Sequence, residues 1–511
     1  MRKSIVLLVS IMLTLLLASC SKPVPLKILN PVVTPAGGSY AVAQNVTVTC
    51  PTADVQIRYT LDGTEPTNLS DLYTAPINLP SSKTLKVKAF KSGWTDSDTV
   101  THTYYLPLQL TLSKCWGGTG SDALYDIAKT SDSGSIAAGA TLSTDGDTSG
   151  NHGKTDGWII KTDADGIKVW SKVFGGSEDD FFNRILQTSD GGYIAVGRTT
   201  SNNGDISGNQ GNFDGWIIKV DASGNKLWSK CFGGSEDDFF NRIIQTADGG
   251  YIVVGFTGSN NGDISGNQGN FDGWIIKIDA SGNKLWSKCF GGTDFDYLYS
   301  IVQTSDSGYV VVGETESNNG DISDNHGVSD GWLMKVDATG NKVWSKVFGG
   351  TKADDLKDII QTSDGGYIAV GKAISTDGDI LGNLGNSDGW IIKFNSAGDK
   401  VWSKVFGGSD YDYLYSIVQS SDGGYIAVGD TKSNNGDISA NHGDRDGWII
   451  KTDADGIKLW SKVFGGSGTD ILFDIAWISD FVYITAGQTQ STDGDISDHK
   501  GNSDGWISKF Q

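Results

Sequence analysis

One spacing recurs through most of this chain. The dipeptide Gly-Gly begins at positions 117, 175, 233, 291, 349, 407 and 465, so each copy follows the previous one by 58 residues (175 − 117 = 58). A period of this size is typical of proteins in which one supersecondary unit is repeated and packs against its neighbours. The repeat therefore limits the chain to a stacked or ring-shaped architecture.

Each repeat contains four short segments of alternating apolar and polar residues. In the third copy these are DDFFNRIIQT, YIVVGFT, DGWIIKID and KLWSKCF, with ADGG and ASGN as tight turns and a long polar loop after the second segment. Alternation with a period of two predicts β-strands, and 69 glycines against 9 prolines suit an all-β chain with many turns. Four antiparallel strands per unit, repeated seven times, predict the blades of a β-propeller.

The two ends of the repeat region complement each other. The seventh copy stops at DGWISKFQ without its fourth segment, and an equivalent segment, LTLSKCWGG at 110–118, precedes the first copy. A closed ring would use this segment to complete the last blade and leave no open strand edge. We therefore predict an all-β chain in which residues 107–511 form a seven-bladed propeller closed by its N-terminal strand.

Tryptophan is periodic in the third and fourth segments. Its recurrence within strands favours packing between blades over stacking on sugars. The third-segment series is Trp158, Trp216, Trp274, Trp332, Trp390, Trp448 and Trp506, and the fourth-segment series is Trp170, Trp228, Trp286, Trp344, Trp402 and Trp460. Cys115, Cys231 and Cys289 share one register and are interpreted as small buried apolar residues.

Residues 29–106 lack the 58-residue repeat and contain short alternating strands separated by turns, which predicts a small β-sandwich. The motifs TPAGGSY, IRYTLDGTEPT followed by LYTAPI, and LKVKAFKSGWTDSD resemble the β-sandwich module at the C-terminus of chitobiases and β-hexosaminidases. In that family the module is an accessory, so the resemblance implies no catalytic residue. The propeller repeat likewise resembles the Asp- and Gly-rich propeller repeats of bacterial surface proteins, which implies export but no particular ligand.

The first twenty residues predict an export signal. Arg2 and Lys3 precede an apolar stretch too short to be a comfortable membrane span, and the stretch ends in LASC. LASC resembles a bacterial lipobox, which implies a lipoprotein signal peptide at 1–20, a lipidated Cys20 and a linker at 21–28. Ser21 favours the outer membrane if the host has one, so we expect a lipid-anchored protein of the cell envelope. An ordinary signal peptide is the alternative.

The excess of acidic residues limits the classes of partner that the chain can bind. The chain carries 40 Lys and Arg against 61 Asp and Glu, a formal net charge of −21. Nucleic acid and anionic lipid headgroups would be repelled, which leaves cations, neutral glycans and protein surfaces as partners, with the membrane contacted through the lipid anchor.

Two sets of acidic residues are candidate sites. The first is an aspartate in each crossing between blades, which we expect to ring the mouth of the central channel: Asp122, Asp180, Asp238, Asp296, Asp354, Asp412 and Asp470. The second set lies in the long loop, where oxygen-bearing residues at alternate positions, a Gly and a closing carboxylate resemble a calcium-binding EF-hand loop in spacing only. Its members are Asp145, Asp147 and Asp156; Asn203, Asp205, Asn209 and Asp214; Asn261, Asp263, Asn267 and Asp272; Asp321 and Asp330; Asp377, Asp379 and Asp388; Asp437 and Asp446; and Asp493, Asp495 and Asp504. Leu381 and His499 break this pattern, and Asx and Ser turns without an ion are the alternative.

No catalytic constellation stands out in the sequence. His152, His326 and His442 share a register with Gln210, Leu384 and Lys500 and are interpreted as variable exposed positions. A glycosidase needs two carboxylates with different roles, whereas these carboxylates are near-copies around a ring. We therefore expect a non-catalytic binding scaffold that presents an acidic face to a protein or glycan, with a polysaccharide-acting enzyme and a structural envelope protein as alternatives.

Overall fold

The computed structural model of the protein describes residues 25–479 and 481–511. The predicted signal peptide, Cys20 and residues 21–24 of the predicted linker lie outside this part of the chain. The chain divides into two compact units, with the boundary between Leu106 and Pro107. Among the described residues, no helix is long and apolar enough to cross a membrane.

The first unit is a β-sandwich, as predicted. One sheet has the strand order β1-β3-β6 and the other β2-β8-β7-β4-β5. Val46 and Leu79 of the first sheet pack with Leu85, Val87 and Tyr104 of the second in one fully buried cluster. The strands are β1 (Val32–Thr34), β2 (Gly38–Ser39), β3 (Gln44–Thr49), β4 (Gln56–Thr60), β5 (Asp71–Leu72), β6 (Ile77–Leu79), β7 (Lys83–Phe90) and β8 (Val100–Tyr105).

The end of the predicted linker belongs to this unit. Lys27 forms a bridge with Thr95, and the amide of Ile28 donates to the Thr95 carbonyl at 3.0 Å. The Ile28 side chain is buried, so an apolar residue anchors a segment that the 21–28 boundary had assigned to linker. The prediction was wrong for these two residues.

The second unit contains seven four-stranded antiparallel sheets, which are the predicted propeller blades. The strand that precedes blade 1 is β9 (Leu110–Trp116). From the innermost strand outwards, blade 1 is β10 (Asp122–Lys129), β11 (Ser135–Thr141), β12 (Asp156–Thr162) and β13 (Lys168–Phe174); blade 2 is β14 (Asp180–Gln187), β15 (Tyr193–Thr199), β16 (Asp214–Val220) and β17 (Lys226–Phe232); and blade 3 is β18 (Asp238–Gln245), β19 (Tyr251–Thr257), β20 (Asp272–Ile278) and β21 (Lys284–Phe290). In the same order, blade 4 is β22 (Asp296–Gln303), β23 (Tyr309–Thr315), β24 (Asp330–Val336) and β25 (Lys342–Phe348); and blade 5 is β26 (Asp354–Gln361), β27 (Tyr367–Ala373), β28 (Asp388–Phe394) and β29 (Lys400–Phe406). Blade 6 is β30 (Asp412–Gln419), β31 (Tyr425–Thr431), β32 (Asp446–Thr452) and β33 (Lys458–Phe464), and blade 7 is β34 (Asp470–Ser479), β35 (Val482–Thr489) and β36 (Asp504–Phe510), with β9 as its outermost strand. Gly146–Thr148 form a short 3₁₀ turn.

The ring closes by strand exchange. β9 pairs antiparallel with β36, placing Cys115 opposite Trp506. On the inner side, Tyr125 of blade 1 contacts Phe473 of blade 7, with ring centroids 5.3 Å apart. The predicted closure by the N-terminal strand is therefore confirmed.

Packing between blades supplies the core of the propeller. The third-strand tryptophans are all fully buried, and the indole of Trp216 donates to Ser229 Oγ at 2.8 Å. Each apolar cluster combines two neighbouring blades: Ile159 and Phe174 of blade 1, for example, pack with Phe182 and Trp216 of blade 2. This confirms the interpretation of the third-strand tryptophans as core residues.

Candidate functional site

The long loops and the blade crossings share one face of the propeller, which we call the loop face. The Asp205 amide donates to the carbonyl of Gly175 in the crossing at 2.9 Å. The Asn203 side-chain oxygen accepts from the Ser177 amide at 2.8 Å. Each loop is therefore held onto the crossing that precedes its own blade.

The crossing aspartates are not exposed at a channel mouth, and that prediction was wrong. Asp238 is fully buried and accepts hydrogen bonds from the Gly234 amide at 2.7 Å, the Ser259 hydroxyl at 2.9 Å and the Thr257 hydroxyl. These bonds tie the start of the innermost strand to the end of the second. In every blade the same carboxylate is buried and accepts from the second crossing glycine: Asp122, Asp180, Asp238, Asp296, Asp354, Asp412 and Asp470.

The aspartate that closes each long loop has one unpartnered oxygen. Oδ2 of Asp214 accepts from the Gln210 amide at 2.9 Å, while its Oδ1 is buried without a hydrogen-bond partner. An unpaired buried polar atom is costly, so its recurrence needs an explanation. Oδ1 is unpartnered in all seven closing residues: Asp156, Asp214, Asp272, Asp330, Asp388, Asp446 and Asp504.

The closing aspartate of one blade meets the crossing aspartate of the next. A Cβ on Gly233 would lie 2.6 Å from Asp214 Oδ1 and 2.7 Å from Asp238 Oδ2, so only glycine fits between the two carboxyl groups. Burial raises the pKa of Asp214 to about 7, and the charges of Asp238 and Asp263 add to the shift. Burial and the nearby carboxylate thus both favour the neutral, protonated form of Asp214.

In three blades a histidine side chain lies beside the closing aspartate of this pair. His152 Nδ1 lies 3.0 Å from Asp156 Oδ2, and His326 and His442 are placed in the same way, at 3.1 Å, beside Asp330 and Asp446. Burial raises the pKa of Asp156 to about 6, with His152 opposing the shift. The interpretation of these histidines as merely variable exposed positions missed this contact. The four-residue spacing to an invariant aspartate was its signal.

The middle aspartates of the loops form ion pairs with lysines. Asp205 pairs with Lys226 at 2.5 Å, and Asp263 pairs with Lys284 at 2.5 Å. The same pairing joins Asp321 to Lys342, Asp379 to Lys400 and Asp437 to Lys458, whereas Asp147 contacts both Lys168 and Lys500.

The oxygens of the predicted calcium loop point to different partners instead of one ion. Asn203 holds the crossing, Asp205 pairs with lysine, Asn209 accepts from the Gly211 amide at 3.0 Å, and Asp214 faces the next blade. Asn261 and Asn267 repeat this arrangement, and the first-position aspartates Asp145, Asp377 and Asp493 accept from crossing amides as Asn203 does. Within the described residues, no three His, Cys, Asp or Glu side chains are grouped to hold a metal ion. The contacts made by Asn209 and Asn267 are those of Asx turns, and calcium binding by these loops stays a prediction.

A ring of charged side chains lies on the innermost strands of several blades. Arg184 contacts Asp126 and lies 2.7 Å from Asp474, while Arg242 lies 2.8 Å from Asp358. Burial alone would lower the pKa of Arg184, but the surrounding aspartates raise it well above its ordinary value. A cavity of about 390 Å³ lies beside this ring.

The seven blades differ at the start of their innermost strands, near the loop face. The second residue of the innermost strand is, from blade 1 to blade 7, Ala123, Phe181, Phe239, Tyr297, Asp355, Tyr413 and Ile471. By contrast, the crossing glycines and aspartates and the core tryptophans are the same in every blade. The repeat symmetry is therefore broken at the start of the innermost strands, near the loop face.

Half-buried aromatic rings of blades 2 to 4 meet there in what we call the aromatic cluster: Phe213, Phe239, Phe256, Phe271, Phe295 and Tyr297. The Phe239 and Phe256 centroids are 4.6 Å apart, those of Phe256 and Tyr297 4.7 Å, and those of Phe271 and Phe295 5.9 Å. Exposed carboxylates lie beside it: the Glu316 amide donates to the Phe295 carbonyl, and burial together with Glu314 and Asp294 raises the pKa of Glu316.

Comparison with known proteins identifies the family of the β-sandwich module. Residues 35–101 match the family model of the chitobiase/beta-hexosaminidase C-terminal domain. The resemblance read from the motifs is thereby confirmed for the β-sandwich. The regulatory protein FlaEY of Caulobacter vibrioides is 25% identical over 229 residues, which cover 41% of this chain and 23% of FlaEY. The chain thus spans less than a quarter of that relative's length.

Solved structures with similar architecture are distant in sequence. A protein of unknown function from Dyadobacter fermentans is 10% identical with a TM-score of 0.41, covering 79% of this chain and 99% of that one. Sqt1 from Chaetomium thermophilum is 11% identical with a TM-score of 0.42, covering 79% and 100%. YCF48, solved with a D1 peptide, is 10% identical with a TM-score of 0.38, covering 80% and 95%.

Proposed function

We propose that this is an exported, lipid-anchored protein of the cell envelope whose propeller is a non-catalytic binding scaffold. The observation that carries the proposal is the break in repeat symmetry at the start of the innermost strands, near the loop face. The buried residues repeat because every blade packs against its neighbours in the same way. A surface that binds one asymmetric partner needs different residues in different blades, and the aromatic cluster supplies them.

The chemistry of the cluster suits recognition. Binding sites are enriched in aromatic side chains, because these contribute large contact areas with little conformational entropy to lose. Half-buried rings are held in place by their neighbours and still present one edge or face outward. The carboxylates beside them, such as Glu236, Asp294 and Glu316, favour a protein or glycan without net negative charge.

The carboxylate pairs of the propeller favour a structural role over glycoside hydrolysis. Hydrolysis requires one general acid and one nucleophile or base in unlike environments. Asp214 and Asp238 are both buried, and the same pair recurs at every junction between blades. The enzymatic alternative therefore has less support than binding.

The test uses residues that other blades already carry. The variant Phe271→Ser with Phe295→Ala introduces Ser329 and Ala353 of blades 4 and 5 at the equivalent positions, so the blades should still fold. We expect the double variant to lose at least about tenfold in affinity for partners captured by the wild type on a glycan array or in envelope-protein pull-downs, as expected when central aromatic contacts are removed.

The matched control lies on an outer strand. Leu227 is exposed on β17, and Leu227→Thr introduces the residue found at Thr111 of β9. This control should bind like the wild type. If the wild type and the aromatic variant bound these partners equally well, the aromatic cluster would not be the binding site.

A further inference from the structure

The junction between blades 7 and 1 differs from the other six junctions. In β9, Leu112 occupies the register of the fourth-strand tryptophans, and Trp116 occupies a register that is phenylalanine elsewhere. In the loop of blade 7, His499 stands where the other six blades have asparagine. All three departures lie where the exchanged strand meets the first blade.

The loss of one tryptophan changes the packing at this junction. Elsewhere the fourth-strand tryptophan covers a glycine in the next blade's turn, as Trp228 does at Gly282, where an added Cβ would lie 3.0 Å from the ring. Here Leu112 contacts the equivalent Gly166. Leucine covers less of the neighbouring blade than tryptophan, and a cavity of about 680 Å³ lies next to Gly166.

The cavity combines apolar surface with lysines. Trp116 and Ile167 form an apolar wall, and the charged and polar side chains that line the cavity are Lys114, Lys168, Lys500, His499, Asp165 and Asp498. The Lys168 ammonium lies 6.0 Å from the centroid of the Trp116 ring. An apolar wall with placed polar groups is a feature of small-molecule sites.

Two of the lysines share one carboxylate partner. Lys168 and Lys500 share the single carboxylate of Asp147, and Lys114 pairs with Asp498 at 3.1 Å. In blades 2 to 6 the equivalent aspartate has one lysine partner. Lys500 is the added cation, because its register holds glutamine in blades 2 and 3.

We propose that this cavity, the junction pocket, binds a small carboxylate with a flat apolar body. The body packs against Trp116 and Ile167, and the carboxylate oxygens accept hydrogen bonds from the ammonium groups of Lys168 and Lys500. A carboxylate fits the two lysines that share Asp147, and a flat body fits the tryptophan wall. On a chain of net charge −21, this is a local site for an anion.

The test is calorimetric titration of the purified full-length protein with benzoate, with benzamide as its uncharged counterpart and inorganic phosphate as a plain anion. We expect benzoate to bind more tightly than either. Lys500→Gln, which introduces the residue of blades 2 and 3, should weaken benzoate binding by about tenfold. Trp116→Phe, which introduces the residue of the other blades, should weaken it by about threefold to tenfold.

The control is Lys432→Gln, which removes an exposed lysine paired with Asp444 and introduces the residue found at Gln490. It should leave benzoate binding unchanged. Equal binding of benzoate and benzamide, or binding of phosphate as tight as that of benzoate, would overturn the proposal. So would a Lys500→Gln protein that binds benzoate like the wild type, or no benzoate binding at concentrations up to about 10 mM, where an affinity near −4 kcal/mol would be detected.

Discussion

At the scale of single residues, the unpartnered oxygen of each closing aspartate is the most unusual feature of the propeller. Asp214 brings a carboxylate oxygen beside Asp238 with only Gly233 between them. Two charges in that position would repel each other, so burial and the neighbouring carboxylate both favour the protonated, neutral form of Asp214.

This arrangement makes stability depend on pH. Because burial raises the folded-state pKa of Asp214 from 3.8 to about 7, its contribution to stability is complete below pH 4 and is lost as the pH rises through 7. Asp214→Asn mimics the protonated form, keeps an oxygen for the Gln210 amide and adds a donor toward Asp238. We expect this variant to be more stable than the wild type by roughly 1–3 kcal/mol at pH 8 in urea titrations, with the difference shrinking toward pH 4.

Asp156→Asn is the matched comparison, because His152 already contacts that carboxylate and its pKa is raised only to about 6. Its gain at pH 8 should be smaller. If Asp214→Asn instead destabilised the protein and a chelator lowered its melting temperature, the closing aspartates would be metal ligands, and the account of Asp214 as a protonated carboxyl group would fail.

At the scale of the strands and blades, the architecture could be predicted from the sequence more completely than the candidate site. The 58-residue period predicted the number and boundaries of the blades. The seventh repeat ends at DGWISKFQ without a fourth segment, and this predicted that LTLSKCWGG completes the last blade, because an open ring would leave an unpaired strand edge. The contact between Asp214 and Asp238 was missed, since it joins two blades and depends on how they are stacked. Spacing within one loop suggested a calcium ion because Asx turns and ion ligands use the same residue types.

Closure by β9 can be tested with two truncated chains that both lack the β-sandwich. A chain of residues 107–511 keeps β9 and should be monomeric with a cooperative melt. A chain of residues 117–511 loses β9, so that Trp506, fully buried in the ring, loses its cover and its hydrogen bond to Ser113. Exposure of that ring alone costs about 1.5–3 kcal/mol.

We expect the shorter chain to aggregate or to melt at a clearly lower temperature, as measured by scanning calorimetry and light scattering. The two chains differ by ten residues at one end, so the comparison isolates the exchanged strand. Identical melting of both would mean that the ring does not need β9.

At the scale of the whole molecule, a propeller follows a small β-sandwich on an acidic chain whose first twenty residues predict an export signal. The net charge of −21 disfavours attachment to anionic lipid through the protein surface. The proposed attachment therefore rests on Cys20 alone. A single acyl chain binds membranes weakly, whereas several chains on one residue hold a protein stably.

The prediction for Cys20 follows from that difference. In cells that export the full-length chain, the wild-type protein should sediment with membranes, resist extraction by high salt and partition into detergent. Cys20→Ala should move it to the soluble envelope fraction, because no other part of the chain is proposed to hold it to lipid. The control is Cys50→Ala, which removes a thiol of the β-sandwich and should leave the protein in the membrane fraction. If the Cys20→Ala protein still sedimented with membranes and the wild-type N-terminus carried no lipid by mass spectrometry, the anchoring proposal would fall, and the loop face would have to be studied as the surface of a freely diffusing protein.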